Sequence, residues 1–277
     1  LINKHQLNTN SFIIEVASND GYLLKNYLSA GIPVIGIDPA ANIAVIAEKE
    51  NNVPTLVKFF NSNLAKKLAQ EGKKADIIHA HNVLAHVPDP NELMQGFEIL
   101  LKADGEVVIE VPYIRKIIAN VEFDGIYHEH FSYFSLSSLE YLTKKNSLTI
   151  TNVEQIAIHG GSLRIYLKHI GATRNESVKN LLDQELSSGI GHADFYNLFA
   201  KKVKAFRDKF TGMLHRLKAG GKSIAAYGAS ARGATLLNYS GIDTKFIDFV
   251  ADRSPLKQQL YLPGIHIPIV SPEEILV

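Results

Sequence analysis

The chain has 277 residues, of which 46% are hydrophobic and 21% charged, with a formal net charge of +1 and no cysteine. That length accommodates one large domain and a smaller one, each with its own core. The near-zero charge and the absence of a basic run argue against a nucleic-acid binder that works by neutralising phosphates, and the absence of cysteine excludes disulfides and thiolate metal sites within the chain.

No apolar stretch approaches the roughly 20 residues of a spanning helix, no signal peptide is visible, and the cysteine-free composition favours a cytoplasmic setting. The chain opens on Leu1, so we expect a fragment or a processed form with something upstream.

In chain order, strand-like and helix-like runs alternate. "SFIIEVA" (Ser11–Ala17) is a first buried strand, "GYLLKNYLSAG" a helix closing on glycine, "IPVIGID" (Ile32–Asp38) a second strand, and "ANIAVIAEKEN" a helix. "VPTLVKFF" reads as a third strand, "SNLAKKLAQEG" as a helix, "ADIIHAHNVL" as a fourth strand, "NELMQGFEILLKADG" as a helix and "EVVIEVPY" as a fifth strand. Single helices between successive strands predict parallel pairing in a doubly wound α/β sheet. A helix "SLSSLEYLTKKN" and two strands broken at His159–Gly161 complete this part.

Composition changes near Gly171, with a charged helical stretch from Arg174 to Leu217 interrupted at Ser187–Gly191. "GGKSIAAYGASARGATLLNYSG" then begins a second strand–glycine turn–helix unit, with "KFIDFVADRS" as its next strand. We therefore expect one domain over residues 1–172, and a helical linker plus a small α/β domain over 173–277.

Three places invite chemistry. In "EVASNDG" (Glu15–Gly21) a strand ends in small and turn-forming residues, with Glu15 and Asp38 at neighbouring strand ends where an acid can take a ribose hydroxyl. The three-glycine dinucleotide pattern is absent, and a plain chain turn explains the same residues. "HAHNVLAHVPD" adds His81, Asn82 and His86 on the same rim, and its spacing puts His79 and His81 on one strand face, but no carboxylate stands at metal-ligand spacing, so satisfied polar residues of a pocket are preferred over a metal site. "YHEH" (Tyr127–His130) follows the fifth strand and combines an imidazole with a carboxylate and a phenol, either a proton-handling loop or a hydrogen-bonded helix start.

Taken together, "EVASNDGYLL", "GIDPAAN", "NNVP", "HNVLAHVPD", "IYHEHFSYFSLSSLE", "HGGSLRIY" and "YGASARGATLLNYSGI…DFVADRSPLKQQLYLPGIHIPI" resemble, in this order, the C-methyltransferases that act on nucleotide-linked deoxyketosugars. The likeness runs from about Phe12 to Glu274, and the YHEH–FSYFS and HGGSLR segments are its most specific parts. It implies a class I, Rossmann-like methyltransferase sheet and transfer of methyl from S-adenosylmethionine, leaving S-adenosylhomocysteine. The acceptor would be the carbon beside the keto group, C-3, of a 4-keto-deoxysugar linked to a nucleotide such as dTDP. His130 would abstract the proton, with Tyr127 and Glu129 supporting the enolate. The cofactor would lie over Glu15, Ala17, Ser18, Asn19 and Gly21, with Asp38 and Pro39 at its ribose and His81 and Asn82 nearby. His159, Ser162 and Arg164 would line the sugar cleft. Tyr227, Gly228, Ala229, Arg232, Asp252 and Arg253 would grip the nucleotide, with Arg232 beside the diphosphate at a helix start.

No metal is required for this chemistry, and neither a nucleic-acid nor a membrane partner is implied. The chain departs from the family in lacking the cysteine-rich N-terminal zinc module that members commonly carry. Two other classes fit parts of the pattern. A nicotinamide-dependent sugar-nucleotide oxidoreductase asks for a three-glycine turn and a Tyr-x-x-x-Lys couple, and neither is read in the motifs above. A non-catalytic binder of the cofactor or of a nucleotide sugar would show affinity without turnover.

Overall fold

A computed structural model describes residues 1–276. Two compact units form, one from Leu1–Lys116 and Phe131–Ser188, the other from Ile117–His130 and the residues from Gly189 onward.

In the first unit the order is α1 (Ile2–His5), β1 (Ile13–Val16), α2 (Leu24–Ser29), β2 (Val34–Ile37), α3 (Ala41–Asn51), β3 (Thr55–Leu56), α4 (Ser62–Gln70) and β4 (Ala75–His81). Then come α5 (Pro90–Leu100), β5 (Leu101–Pro112), α6 (Ile114–Ala119) at the edge of the unit, α7 (Leu136–Lys145), β6 (Leu148–Ile156), β7 (Ser162–His169) and α8 (Glu176–Ser188). Seven strands line up as β3-β2-β1-β4-β5-β7-β6. The first five run parallel, whereas β7 is antiparallel to both β5 and β6. The hairpin return at His159–Gly161 inserts the last strand between β5 and β6, which strand spacing alone does not reveal.

Hydrophobicity explains the layering. Ile13, Ile14, Ile77 and Ile78 are each 0% exposed, so both faces of the central strands are covered. One face packs Leu93, Met94 and Phe97 of α5 with Leu139 of α7 and Leu181 of α8. The other carries a smaller cluster around Leu24 and Tyr27 of α2 and Ala47 of α3. Each fully buried Leu, Ile or Phe contributes about 1.5–3 kcal/mol of transfer free energy.

The second unit adds α9 (Ala193–Ala219), β8 (Ala225–Tyr227), α10 (Ala231–Ser240), β9 (Phe249–Ala251) and β10 (Ile269–Val270). Its three strands are parallel in the order β10-β9-β8, and α10 packs Leu237 into a core with Ile242, Val250 and Ile267.

Beyond Val16 the chain turns sharply because Gly36 of β2 leaves room for it. A Cβ on Gly36 would run into Ser18 Oγ and lie 3.0 Å from Thr55 Oγ1. Both neighbours are buried, so the extra methyl has nowhere to move. Gly36→Ala is expected to lower stability by about 1–3 kcal/mol, read from the urea midpoint at unchanged slope. A midpoint shift below about 0.5 kcal/mol would mean that the turn yields freely.

Candidate active site

The strand order reverses between β1 and β4, and in open α/β sheets such a reversal leaves a crevice beyond the carboxyl ends. A cleft of about 850 Å³ opens there, lined by Glu15, Ala17, Ser18, Asn19, Asp38, His81 and Asn82. Seven residues expected at the cofactor thus meet in one place. Gly21 and Pro39 lie outside its lining: Gly21 sits against Val53, and Pro39 faces solvent.

The backbone that shapes the cleft is unusual. Ala17, Asn19 and Gly21 have φ of 58°, 50° and 77°, so alternate residues enter the left-handed region. This is the conformation a glycine-rich loop supplies, achieved here with one glycine. Sequence reading missed it because it looks for glycine rather than for the dihedral angle. The turn is clasped by Asp38, whose carboxylate accepts from Asn19 N at 3.0 Å and from Ala40 N at 2.9 Å.

Residues lining this cleft carry buried acceptors. Among the described residues, Glu15 Oε2, Ser18 Oγ and Asn82 Oδ1 are buried without a hydrogen-bond partner. A buried unpaired polar atom costs about 1–3 kcal/mol, and such atoms are expected where a ligand completes the bonding. Burial, and secondly the charges of Asp20 and Asp38, push the Glu15 carboxyl up to about 8. Asp20 and Asp38 at this turn favour a cationic ligand bearing hydroxyl and ammonium donors, and a protonated Glu15 can accept as well as donate. S-adenosylmethionine has a sulfonium, an ammonium and two ribose hydroxyls, so its donors match these acceptors.

Beside the cleft, one row of residues crosses four strands on a single sheet face. His81 stands opposite Glu110, Glu110 opposite Arg164, and Arg164 opposite Glu154. His81 Nδ1 lies 3.2 Å from Glu110 Oε2, and Arg164 Nε donates to Glu110 Oε1 at 2.6 Å. His79 Nδ1 meets His81 Nε2 at 2.9 Å, and His79 Nε2 meets the Tyr27 hydroxyl at 2.8 Å. The hydrogen bond from His81, with Arg164 beside it, holds Glu110 well below the usual carboxylate range, while burial lowers His79 to about 3. An ionised Glu110 only accepts and His79 is neutral. In the case of an uncharged His81 ring the bonds run one way, from Tyr27 through His79 and His81 to Glu110. Both His81 nitrogens are used within the protein. No group of three or more His, Asp or Glu side chains among the described residues is placed to hold a metal.

Of the expected sugar contacts in this unit, Arg164 lines the cleft. Ser162 is buried and its hydroxyl donates to Ile158 O at 3.0 Å, and His159 is exposed on the hairpin turn with φ of 53°. Tyr141 and Lys145 do stand at the spacing of an oxidoreductase couple, but both are exposed on α7 and neither lines the cleft.

In the second unit the YHEH segment follows a short 3₁₀ turn, Phe123–Gly125. His130 Nδ1 lies 2.8 Å from Gly125 O. A carbonyl only accepts, so Nδ1 carries the hydrogen and Nε2 is the basic nitrogen of the neutral ring. Nε2 lies 3.5 Å from the Tyr127 hydroxyl, whose ionisation burial pushes up, with Glu129 adding to it. The Glu129 side chain is 56% exposed.

At the carboxyl ends of β8 and β9, Asp252 accepts from Ala229 N at 2.7 Å and Ser254 N at 2.8 Å, and Arg253 donates to the Tyr227 hydroxyl at 3.1 Å. Gly228 provides the turn with φ of 92°. Ser230 caps α10 at Gly233 N. Arg232 grips Asp124 through two bonds of 2.7 and 3.0 Å and reaches Glu122 at 3.4 Å, so an anion at this helix start would share the guanidinium with two carboxylates.

Residues 3–153 match the family model described as a methyltransferase domain, and residues 157–277 match a C-methyltransferase C-terminal domain. The chain belongs to the methyltransferase family. S-adenosylmethionine is accordingly its cofactor. It is 35% identical over 270 residues to the C-methyltransferase NovU of Streptomyces niveus, covering 97% of this chain and 64% of that protein, so the chain spans just under two thirds of this relative's length. A ubiquinone biosynthesis O-methyltransferase of Actinobacillus pleuropneumoniae serotype 5b is 32% identical, over 34% of this chain and 42% of its own. In fold, an S-adenosylmethionine-dependent methyltransferase of Clostridium acetobutylicum superposes with a TM-score of 0.50 at 13% identity, over 61% of this chain and 88% of that one. The mixed sheet is the one expected of a class I methyltransferase. Among the described residues, no helix is long and apolar enough to cross a membrane.

The raised Glu15 acid sets a pH dependence. Its carboxyl holds a proton in the folded state up to about pH 8 but releases it in the unfolded chain near its ordinary value of 4.5. Between those values the folded state binds the extra proton, so this contribution to stability is full below pH 4.5 and lost as pH rises through about 8. Glu15→Gln should remove that decline, a difference of a few kcal/mol across the window in paired denaturation curves. Parallel pH profiles for the two proteins would contradict it. Ala17→Gly should raise stability by up to about 1 kcal/mol by relieving the left-handed alanine, read as a higher urea midpoint. An unchanged or lower midpoint would show that Ala17 carries no strain.

Proposed function

We propose that this chain transfers the methyl group of S-adenosylmethionine to C-3, beside the keto group, of a 4-keto-deoxysugar carried on a nucleotide, with thymidine diphosphate as that nucleotide. The observation that carries the reading is the His130 ring, tied at Nδ1 to a carbonyl so that Nε2 is the proton acceptor. Likeness to NovU over 97% of the chain and to a C-methyltransferase C-terminal domain supports carbon as the atom methylated.

A hydrogen on a carbon beside a carbonyl is weakly acidic. Its removal needs a base near neutral pH and a donor for the oxygen on which charge develops. His130 Nε2 takes the proton. Tyr127, kept protonated by its raised ionisation, donates to the enolate oxygen. Glu129, open to solvent, accepts from a sugar hydroxyl. The cofactor supplies an electrophilic methyl group, and Glu15, Asp38 and Asn82 hold and orient it through its hydroxyl and ammonium donors. Tyr227, Gly228, Ala229, Asp252 and Arg253 form the nucleotide rim, with Arg232 beside the diphosphate. A cytoplasmic setting suits a cysteine-free chain.

His130→Gln should abolish deuterium uptake at C-3 of a dTDP-linked 4-keto-deoxyhexose in deuterated buffer. Affinity for S-adenosylhomocysteine, by calorimetry, should stay within about twofold, since nothing in the cofactor cleft has changed. Uptake at the wild-type rate would take the proton-accepting role away from His130.

A further inference from the structure

Three consecutive residues ahead of the YHEH segment are each fixed by a different interaction. Phe123 is 7% exposed and packs its ring 5.0 Å from Tyr239 and 5.8 Å from Phe206. Asp124 receives both prongs of the Arg232 guanidinium. Gly125 offers its carbonyl to His130 Nδ1. The turn is closed by Ile126 N on Phe123 O at 2.9 Å and by Gly125 N on Glu122 O at 3.2 Å.

We infer that Asp124, held by the forked bond from Arg232, is a positioning residue that orients the Gly125 carbonyl and thereby sets which nitrogen of His130 carries the hydrogen. The carboxylate is one peptide from that carbonyl, and a bidentate arginine pair fixes a plane as well as a distance. Phe123 anchors the turn by packing and by accepting from Ile126 N, and Asp124 adds a side-chain hold on the stretch between them. Partly exposed ion pairs contribute little to stability, and Asp124 and Arg232 are 25% and 44% exposed, so the pair's effect is directional rather than stabilising. Glu122 accepts at 3.4 Å from the Nη2 that also bonds Asp124, adding a second carboxylate to the arginine's hold. This inference rests on the reading of His130 as the proton acceptor for its meaning in catalysis, but the geometry it concerns exists without substrate.

The test reads the tautomer directly. Long-range proton–nitrogen spectra of the ¹⁵N-histidine-labelled full chain, at a pH where the ring is neutral, distinguish the two ring nitrogens, and subtraction of the His130→Gln spectrum assigns the signal among the 11 histidines. The wild type should show a protonated Nδ1 and a bare Nε2, with widely separated shifts. In Asp124→Asn, and in Arg232→Ala as the second variant, the two shifts should collapse toward a common midpoint as the tautomers mix. Arg232→Lys, a point charge without the fork, should fall between. Wild-type shifts in both Asp124→Asn and Arg232→Ala, with thermal midpoints unchanged, would overturn the inference. So would a collapse in Asp124→Asn alone, because the pair would then not be the cause. The spectra are taken without substrate, so their outcome holds even if His130→Gln still exchanges deuterium, and loss of this inference leaves that exchange result untouched.

Discussion

The cofactor cleft depends on one backbone constraint, the entry of alternate residues after β1 into the left-handed region. Ala17, Asn19 and Gly21 bend the chain between the end of β1 at Val16 and the start of α2 at Leu24, and the bend brings Ser18 against Gly36 and Asn19 N onto Asp38. A non-glycine residue held there costs of order 1–3 kcal/mol, and surrounding contacts offset it: the Ala17 amide bonds to Ile37 O at 2.8 Å, and Asn51 reaches across to Asp20 O at 2.7 Å. What the turn gains is a concave rim of small side chains beside a buried acid, suited to a ligand that approaches backbone closely.

Electrostatics divides the first unit. At the turn, burial and after it the like charges of Asp20 and Asp38 keep Glu15 protonated near neutrality, and its unpartnered oxygen is a reserve for a ligand. Two strands away the opposite holds: Glu110 lies between His81 and Arg164 and stays ionised. Two carboxyls on one sheet face thus end in opposite protonation states. Burial raises Glu15 first and Asp20 and Asp38 add to it, whereas the His81 and Arg164 that strand register sets beside Glu110 outweigh its burial.

Much of the fold was legible because buried parallel strands read as unbroken aliphatic runs. The departures have local reasons. "VPTLVKFF" reads as a long strand, yet only Thr55 and Leu56 pair, because an edge strand has one neighbour to hold it. The helix read through "NELMQGFEILLKADG" stops at Leu100, and β5 begins at the next residue without a loop. Periodicity does not mark a junction where both elements are apolar. Of the site, the shared face of His79 and His81 was legible from their spacing, whereas the bond to Tyr27, 52 residues away, was not. Likewise the hold of Gly125 on His130 depends on a turn no motif announces, and Arg232 was read as an anion ligand without sight of the acids that flank it.

The one-way string of bonds from Tyr27 to Glu110 has an asymmetric fragility. When both rings are uncharged its sense is imposed from the carboxylate end alone, because each ring merely passes on the polarity it receives. Truncation at the phenol would shorten the string and leave the remaining links pointing as before. Neutralising the far terminus would let both imidazoles reverse, so a change deep in the sheet would be felt at the phenol, whose oxygen would turn from donor to acceptor.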